Sequence, residues 1–177
     1  FGNLVYVSTN YGISVFNLER LEFGDTYFIG NSGSQTIVNQ TAVFGDYIYA
    51  ACLNGSGIRK ALLSSPNLID FQNWQVITSG NFLAVEMVSD NLYAIRTDNR
   101  IYQITNDILT ELFLYTNPPL DLKSVDANLI VTTKSNVYVY DSSFNLISQV
   151  ALSVDYMTTF TAASINSEYI YIGTKDF

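Results

Sequence analysis

One short unit written five times constrains this 177-residue chain more than any other feature. The copies read GNLVYVST from Gly2, GDYIYAAC from Gly45, SDNLYAIRT from Ser89, DANLIVTT from Asp126 and SEYIYIGT from Ser167. Each is a turn signal, a run of β-branched and aromatic residues, and a small or polar stop, which is the signature of a strand. With Tyr6, Tyr49, Tyr93, Ile130 and Tyr171 taken as equivalent, the steps are 43, 44, 37 and 41 residues. A unit recurring at about 40 residues marks a repeat architecture.

The stretches between copies supply the other strands. In the second repeat, strands are expected at 36–44, 47–52, 58–63 and 74–78. Gly45-Asp46 and the glycine-rich Asn54–Gly57 stretch break the pattern as hairpin turns, and Pro66 marks residues 64–73 as loop. The third repeat gives strands at 82–88, 92–97, 100–105 and 109–115, and the fourth at 120–126, 129–133, 136–141 and 146–152. The first repeat lacks its opening strand and runs through 4–9, 13–17 and a strand near 25–29. The last holds only 158–165 and 169–174. Residues 17–23 and 62–71 are the most helix-like segments and read as loops or single turns.

Four-stranded antiparallel units at this step are blades of a β-propeller, so the fold class is all-β. A small sheet apolar on both faces is not stable alone, and neighbouring blades cover both faces. The second strands accordingly lose their alternation, and both sides of Tyr169-Ile-Tyr-Ile172 are expected to be buried. A β-sandwich or jelly roll would explain the strand content but not the recurring unit. The expected organisation is one propeller region over 1–177: a partial blade at 1–30, blades at 36–78, 82–115 and 120–152, and a partial blade at 158–177. Three full and two partial blades make an incomplete ring, so further repeats are expected outside this chain.

Composition narrows the function. Eight Lys and Arg against sixteen Asp and Glu give a net charge of −8, poor material for a phosphate-binding patch, so nucleic acid is not an expected partner. No apolar run is long enough for a transmembrane helix. The absence of histidine removes Ser-His-Asp triads, Cys-His pairs and the common zinc and iron sites. The single cysteine, Cys52, ends an apolar strand with no basic cluster to activate it and reads as a buried, inert thiol. The glycine pairs Gly30/Gly33 and Gly55/Gly57 open no helix and so make no phosphate cradle. No cofactor, metal or catalytic residue is expected, and the chain is not expected to be an enzyme. The carboxylate pairs Glu19/Glu22, Glu86/Asp90 and Asp121/Asp126 are the only material for glycoside chemistry and read as solvated turn and strand-edge residues.

Binding candidates follow from the architecture. The hairpin turns at Tyr11, Asn54, Asp98 and Lys134 should share one face with the blade-to-blade loops at Asn31, Ser79, Asn117 and Asp155. That face is the default binding surface, and loops are where binding residues concentrate. The candidate ligand- or partner-binding residues are Tyr11, Asn31, Asn54, Trp74, Asp98 and Lys134. Trp74, Tyr27 and Phe28 are the aromatics that could stack on a sugar ring, with packing between blades as the ordinary alternative.

Two resemblances add to this reading. The run YIYIGTKDF (169–177) resembles the repeats of two-component-regulator propellers, found in sensor regions of hybrid histidine kinases of the Bacteroidetes. The longer stretch 6–34, with Phe23–Gly30 at its centre, continues through 38–51 to the phrase Asp70-Phe-Gln-Asn-Trp74. It resembles the amino-terminal propeller of PorZ-type proteins of the type IX secretion system. The second resemblance implies an exported protein at the cell surface, associated with the outer membrane. Its implied partners are a sortase (PorU) and outer-membrane barrel proteins (PorV and PorQ). The implied task is non-catalytic, to bind anionic lipopolysaccharide and present it to the sortase. An acidic chain suits that anionic glycan poorly, so the implied glycan site is expected in other parts of the full-length family members. The first resemblance implies instead a ligand-sensing propeller in the periplasm.

Overall fold

The computed structural model describes residues 2–153 and 158–175. Seventeen strands follow in chain order among the described residues. The first sheet is β1 (Leu4–Thr9), β2 (Gly12–Asn17) and β3 (Glu22–Tyr27). The second is β4 (Val38–Phe44), β5 (Tyr47–Cys52), β6 (Gly57–Leu62) and β7 (Gln75–Thr78). The third is β8 (Phe82–Val88), β9 (Asn91–Arg96), β10 (Arg100–Thr105) and β11 (Ile108–Leu114). The fourth is β12 (Pro119–Val125), β13 (Asn128–Thr133), β14 (Asn136–Asp141) and β15 (Leu146–Ala151). The fifth holds β16 (Thr159–Ile165) and β17 (Ile170–Lys175). In every sheet the spatial order is the chain order, the up-and-down meander of a propeller blade. Most predicted strands begin and end within a residue or two of the observed ones.

The recurring turn signal has a conformational cause. Gly45, Ser89 and Asp126 stand first in the two-residue turns that join the first and second strands of their sheets, with φ of +57°, +51° and +52°. Tight antiparallel hairpins need this left-handed conformation, and Gly, Asp and Ser meet it more readily than branched residues. A second recurring device is a register shift early in the first strand: Val38/Gln40 against β5, Pro119/Asp121 against β13 and Phe160/Ala162 against β17. The next pairs, Gln40 with Ala51, Asp121 with Thr132 and Ala162 with Gly173, are equivalent positions of the repeat. The sheet β16–β17 is therefore the first half of a blade.

The chain divides into two compact units, Phe1–Val85 and Glu86–Phe177. In the first, Ile13, Val15, Tyr27 and Ile29 pack with Ile48, Ala50, Cys52, Ala61, Leu68 and Trp74. In the second, Ile130, Val137 and Val139 pack with Phe160 and Ala163. A second cluster there is aromatic: Phe144 stacks on Tyr140 at 4.2 Å and on Tyr93 at 5.9 Å, and the Tyr93 hydroxyl donates to the Ser142 carbonyl. As expected, β5 from Ile48 to Cys52 and β13 from Leu129 to Thr133 are buried without alternation.

Two expectations are corrected. The strand placed near 25–29 runs instead over Glu22–Tyr27, because β3 is aligned on β2 by the pairs Asn17–Glu22 and Ile13–Tyr27, and Phe28 and Ile29 pass into the crossover. Tyr169 and Tyr171 are exposed, not buried, at 61% and 55%. Tyr93 is covered by Phe144 and Ile130 by Phe160, each from the sheet that follows in the chain, and among the described residues no sheet follows β16–β17.

Candidate functional site

In the second, third and fourth sheets the hairpin between the second and third strands is stitched to an adjoining crossover. In the second sheet the Gly57 amide donates to the Gly80 carbonyl at 3.0 Å and the Gly55 amide to Asn81 Oδ1 at 2.8 Å. Gly57 (φ +74°) has no room for a side chain, since a Cβ would overlap the Thr78 carbonyl oxygen. Gly12 (φ +152°) repeats this device in the first sheet against the Tyr27 carbonyl oxygen. In the third, the Tyr115 amide donates to the Asn99 carbonyl. In the fourth, the amides of Leu152 and Phe160 donate to the carbonyls of Ser135 and Lys134, and Asn117 Nδ2 donates to Ser135 Oγ. Hairpin and crossover thus lie together in the second, third and fourth sheets. The crossover expected at Asp155 lies outside the described residues.

The six candidate residues have different surroundings. Tyr11 is 43% exposed on its turn, its ring tilted against Phe28 at 6.5 Å. Asn54 is an exposed turn residue at φ +56°, and Lys134 is an exposed turn residue whose carbonyl is used by Phe160. Asn31 opens a single 3-10 turn, Asn31–Gly33, and its Oδ1 accepts from Arg59 Nη2 at 2.6 Å. Asp98 is gripped by Arg96 and Arg100, both reaching its Oδ2, and Arg100 also pairs with Glu111 at 3.1 Å. The hydrogen bond from Arg96 is the main cause that holds the Asp98 carboxyl at about 2, with the Arg100 bond adding to it. Arg96 also lies over the Tyr102 ring. Trp74 is 4% exposed, its indole N–H donating to the Leu68 carbonyl at 2.9 Å and its ring 6.2 Å from Tyr27. It packs in the core of the first unit and offers no surface for stacking.

The carboxylates have local uses. Glu86 Oε1 accepts from Ser124 Oγ at 2.6 Å, Glu22 pairs with Arg20, and Glu19 accepts from Asn3. Asp90 and Asp126 sit in turns and Asp121 in β12. Cys52 is fully buried, and burial pushes its thiol up to about 12. Among the described residues, no group of three or more acidic or cysteine side chains is placed to hold a metal, and no helix is long and apolar enough to cross a membrane.

One buried charge had not been singled out. Arg59 is 3% exposed on the face of β6 that carries Ala61, with Ala50 opposite, and burial lowers its pKa. The signal lay in the parity of Ile58-Arg-Lys-Ala61: in a strand Arg59 shares a face with Ala61.

Meandering four-stranded sheets, equivalent bulges and hairpins bonded to crossovers define a β-propeller repeat protein. Within that class, residues 1–75 match the family model for the type IX secretion system PorZ amino-terminal β-propeller domain. The PorZ-type resemblance read from residues 6–34, 38–51 and 70–74 is therefore shown over that part of the chain. Among solved structures, the chain is similar to PorZ, described as an essential bacterial surface component of the type IX secretion system of Porphyromonas gingivalis, at TM-score 0.70 and 16% identity, over 97% of this chain and 22% of that one. It is also similar to the computationally designed Ika8 protein, at TM-score 0.66 and 11% identity over 98% and 53% of the two chains. BamB from Moraxella catarrhalis aligns at TM-score 0.62 and 13% identity over 97% and 52%. Identities this low show the shared fold. The chain spans about a fifth of PorZ and about half of the other two. No curated protein matches its sequence.

Proposed function

We propose that the chain is a non-catalytic binding propeller of the type IX secretion attachment complex at the cell surface. In this reading residues 1–177 form one propeller region whose hairpin-and-crossover face meets protein partners, a sortase and outer-membrane barrel proteins. The full-length protein presents anionic lipopolysaccharide to the sortase. The observation that carries this is the PorZ-domain match over residues 1–75, supported by the fold likeness to PorZ over nearly the whole chain.

The net charge of −8 gives these residues a protein-facing part of the task and leaves the anionic glycan to other segments. Tyr11, Asn54 and Lys134 are the exposed side chains proposed for partner contact. The test combines two measurements. Deletion of the gene in its host should release secreted cargo into the medium unattached to lipid. Purified protein should bind the immobilised sortase complex, and Tyr11→Ala with Lys134→Glu should weaken that binding at least tenfold. Cargo that stays attached in the deletion strain defeats the proposal, and so does equal binding by the double variant.

A further inference from the structure

We propose that Asn54 is a self-modifying site: the Gly55 amide nitrogen attacks its side-chain carbonyl and converts it to aspartate and isoaspartate, at a rate set by a clamp from Asn81. The argument starts from the one Asn-Gly pair in the chain. Glycine has no Cβ to shield its amide nitrogen and leaves the linkage free to turn, so Asn-Gly is the pair in which such a ring closes most readily. In the structure the pair forms the tip of the β5–β6 hairpin. The Ser56 amide donates to the Leu53 carbonyl at 3.0 Å, and Asn54 and Gly55 have φ of +56° and +75°, a type I′ turn. Both residues are exposed, so solvent water reaches the reacting atoms.

Two other asparagines, Asn31 and Asn166, precede a small residue, serine, and both are pinned by their side chains. Asn31 Oδ1 accepts from Arg59 Nη2 at 2.6 Å. Asn166 Oδ1 accepts from the amides of Glu168 and Tyr169 at 2.9 and 2.7 Å, and its Nδ2 donates to the Tyr171 hydroxyl. A carbonyl held in this way does not turn toward the next amide. Asn54 has no side-chain hydrogen bond among the described residues. Its restraint acts on the nucleophile instead. The Gly55 amide donates to Asn81 Oδ1 at 2.8 Å, and the Gly55 carbonyl accepts from the Gly80 amide at 3.4 Å. The amide must leave Asn81 and turn toward Asn54 before it can attack. Hydroxide takes the Gly55 amide proton, and the nitrogen bonds to Asn54 Cγ. The bond from Cγ to the side-chain nitrogen breaks, and that nitrogen leaves as ammonia with a proton from solvent, which restores the hydroxide. The ring so formed is a succinimide. Water adds to one of its two carbonyls, and the ring opens to aspartate or isoaspartate. One water is consumed, one ammonia is released, and nothing is oxidised or reduced. Both products add a negative charge to the turn. Isoaspartate also routes the main chain through Cγ, which displaces Gly55 from Asn81 and Gly80.

The test is peptide mass spectrometry of the folded 177-residue chain over time at mildly alkaline pH, with circular dichroism to confirm that the β-sheet fold is kept. Asn54 should be converted ahead of the other asparagines, and to both products. Asn81→Ala should speed that conversion about fivefold, the factor expected for loss of one ordinary hydrogen bond. Asn81→Asp keeps an acceptor oxygen and should react no faster than the wild type. The rates at Asn31 and Asn166 should be the same in all three proteins, which separates loss of the clamp from a general loosening of the fold. An Asn54 that stays intact in the wild type overturns the proposal, as does earlier conversion of Asn31 or Asn166. So does an Asn81→Ala rate equal to that of the wild type, an Asn81→Asp rate as fast as that of Asn81→Ala, or a speeding of all sites alike.

Discussion

Gly57 sits where backbone and space both refuse a side chain. Its φ is +74°, and a Cβ would overlap the Thr78 carbonyl oxygen across the hairpin–crossover junction. Gly57→Ala should therefore destabilise the first unit by about 2–4 kcal/mol, combining left-handed strain with a displaced crossover. A denaturant titration reads this, and Gly55→Ala, with no atom within 4 Å of its Cβ, is the control for φ alone. Asp98 gives a pH signature. Its folded pKa of about 2 lies below the ordinary 3.8, so its contribution is present above about pH 4 and is lost as pH falls through 2. Asp98→Asn should flatten the acid limb of stability in that window, with its loss present at neutral pH and vanishing below about pH 2. An acid limb unchanged by the substitution would contradict the role assigned to the Arg96–Asp98–Arg100 cluster. The side chain is 32% exposed, so the effect is small.

At the scale of strands, one repeat position has two environments. Tyr93 is buried and its hydroxyl is bonded to Ser142, so Tyr93→Ala should cost about 3–5 kcal/mol. Tyr171→Ala, at the equivalent position of β17, should cost under about 1 kcal/mol. Parallel thermal melts of the two variants check the contrast, and equal losses would show that the two positions do not differ in burial as described. The same pair shows what the sequence makes legible. Strand positions follow from turn residues that are local, such as Gly45-Asp46, and from periodicity within each strand. Burial of Tyr171 does not, because it depends on whether another sheet packs over that face, as the fourth sheet's Phe144 does over Tyr93, and nothing inside YIYIGT encodes that. The shift of β3 to Glu22–Tyr27 has a similar cause, since alignment on β2 decides it while local propensity favours Tyr27–Ile29. Trp74 looks the same in sequence whether it faces a ligand or the core, and the Leu68 carbonyl that takes its N–H is set by the folding of the intervening loop.

For the whole molecule, separate cores in the two units mean that opening need not be uniform. Cys52 lies in the core of Phe1–Val85, and its thiol is raised to about 12 by burial, so it is both hidden and protonated in the folded state. A thiol reagent at mildly alkaline pH should label it only at the rate at which that unit opens. Mass spectrometry against time measures this, and labelling at the speed of a free thiol would mean that the core around Ile48, Ala50 and Ala61 does not close over it. The family match also falls on residues 1–75, within that same unit, so Cys52 reports on the part of the chain that the family model matches. The bonds between hairpins and crossovers carry a last consequence, for anyone who would exchange repeats between propellers. The amides of Gly55 and Gly57 are satisfied by Asn81 and Gly80, residues that come after the second sheet has ended. A cassette cut at the sheet boundary, residues 38–78, would leave those donors to whatever sequence follows. The transferable module reaches through Asn81, past its own last strand.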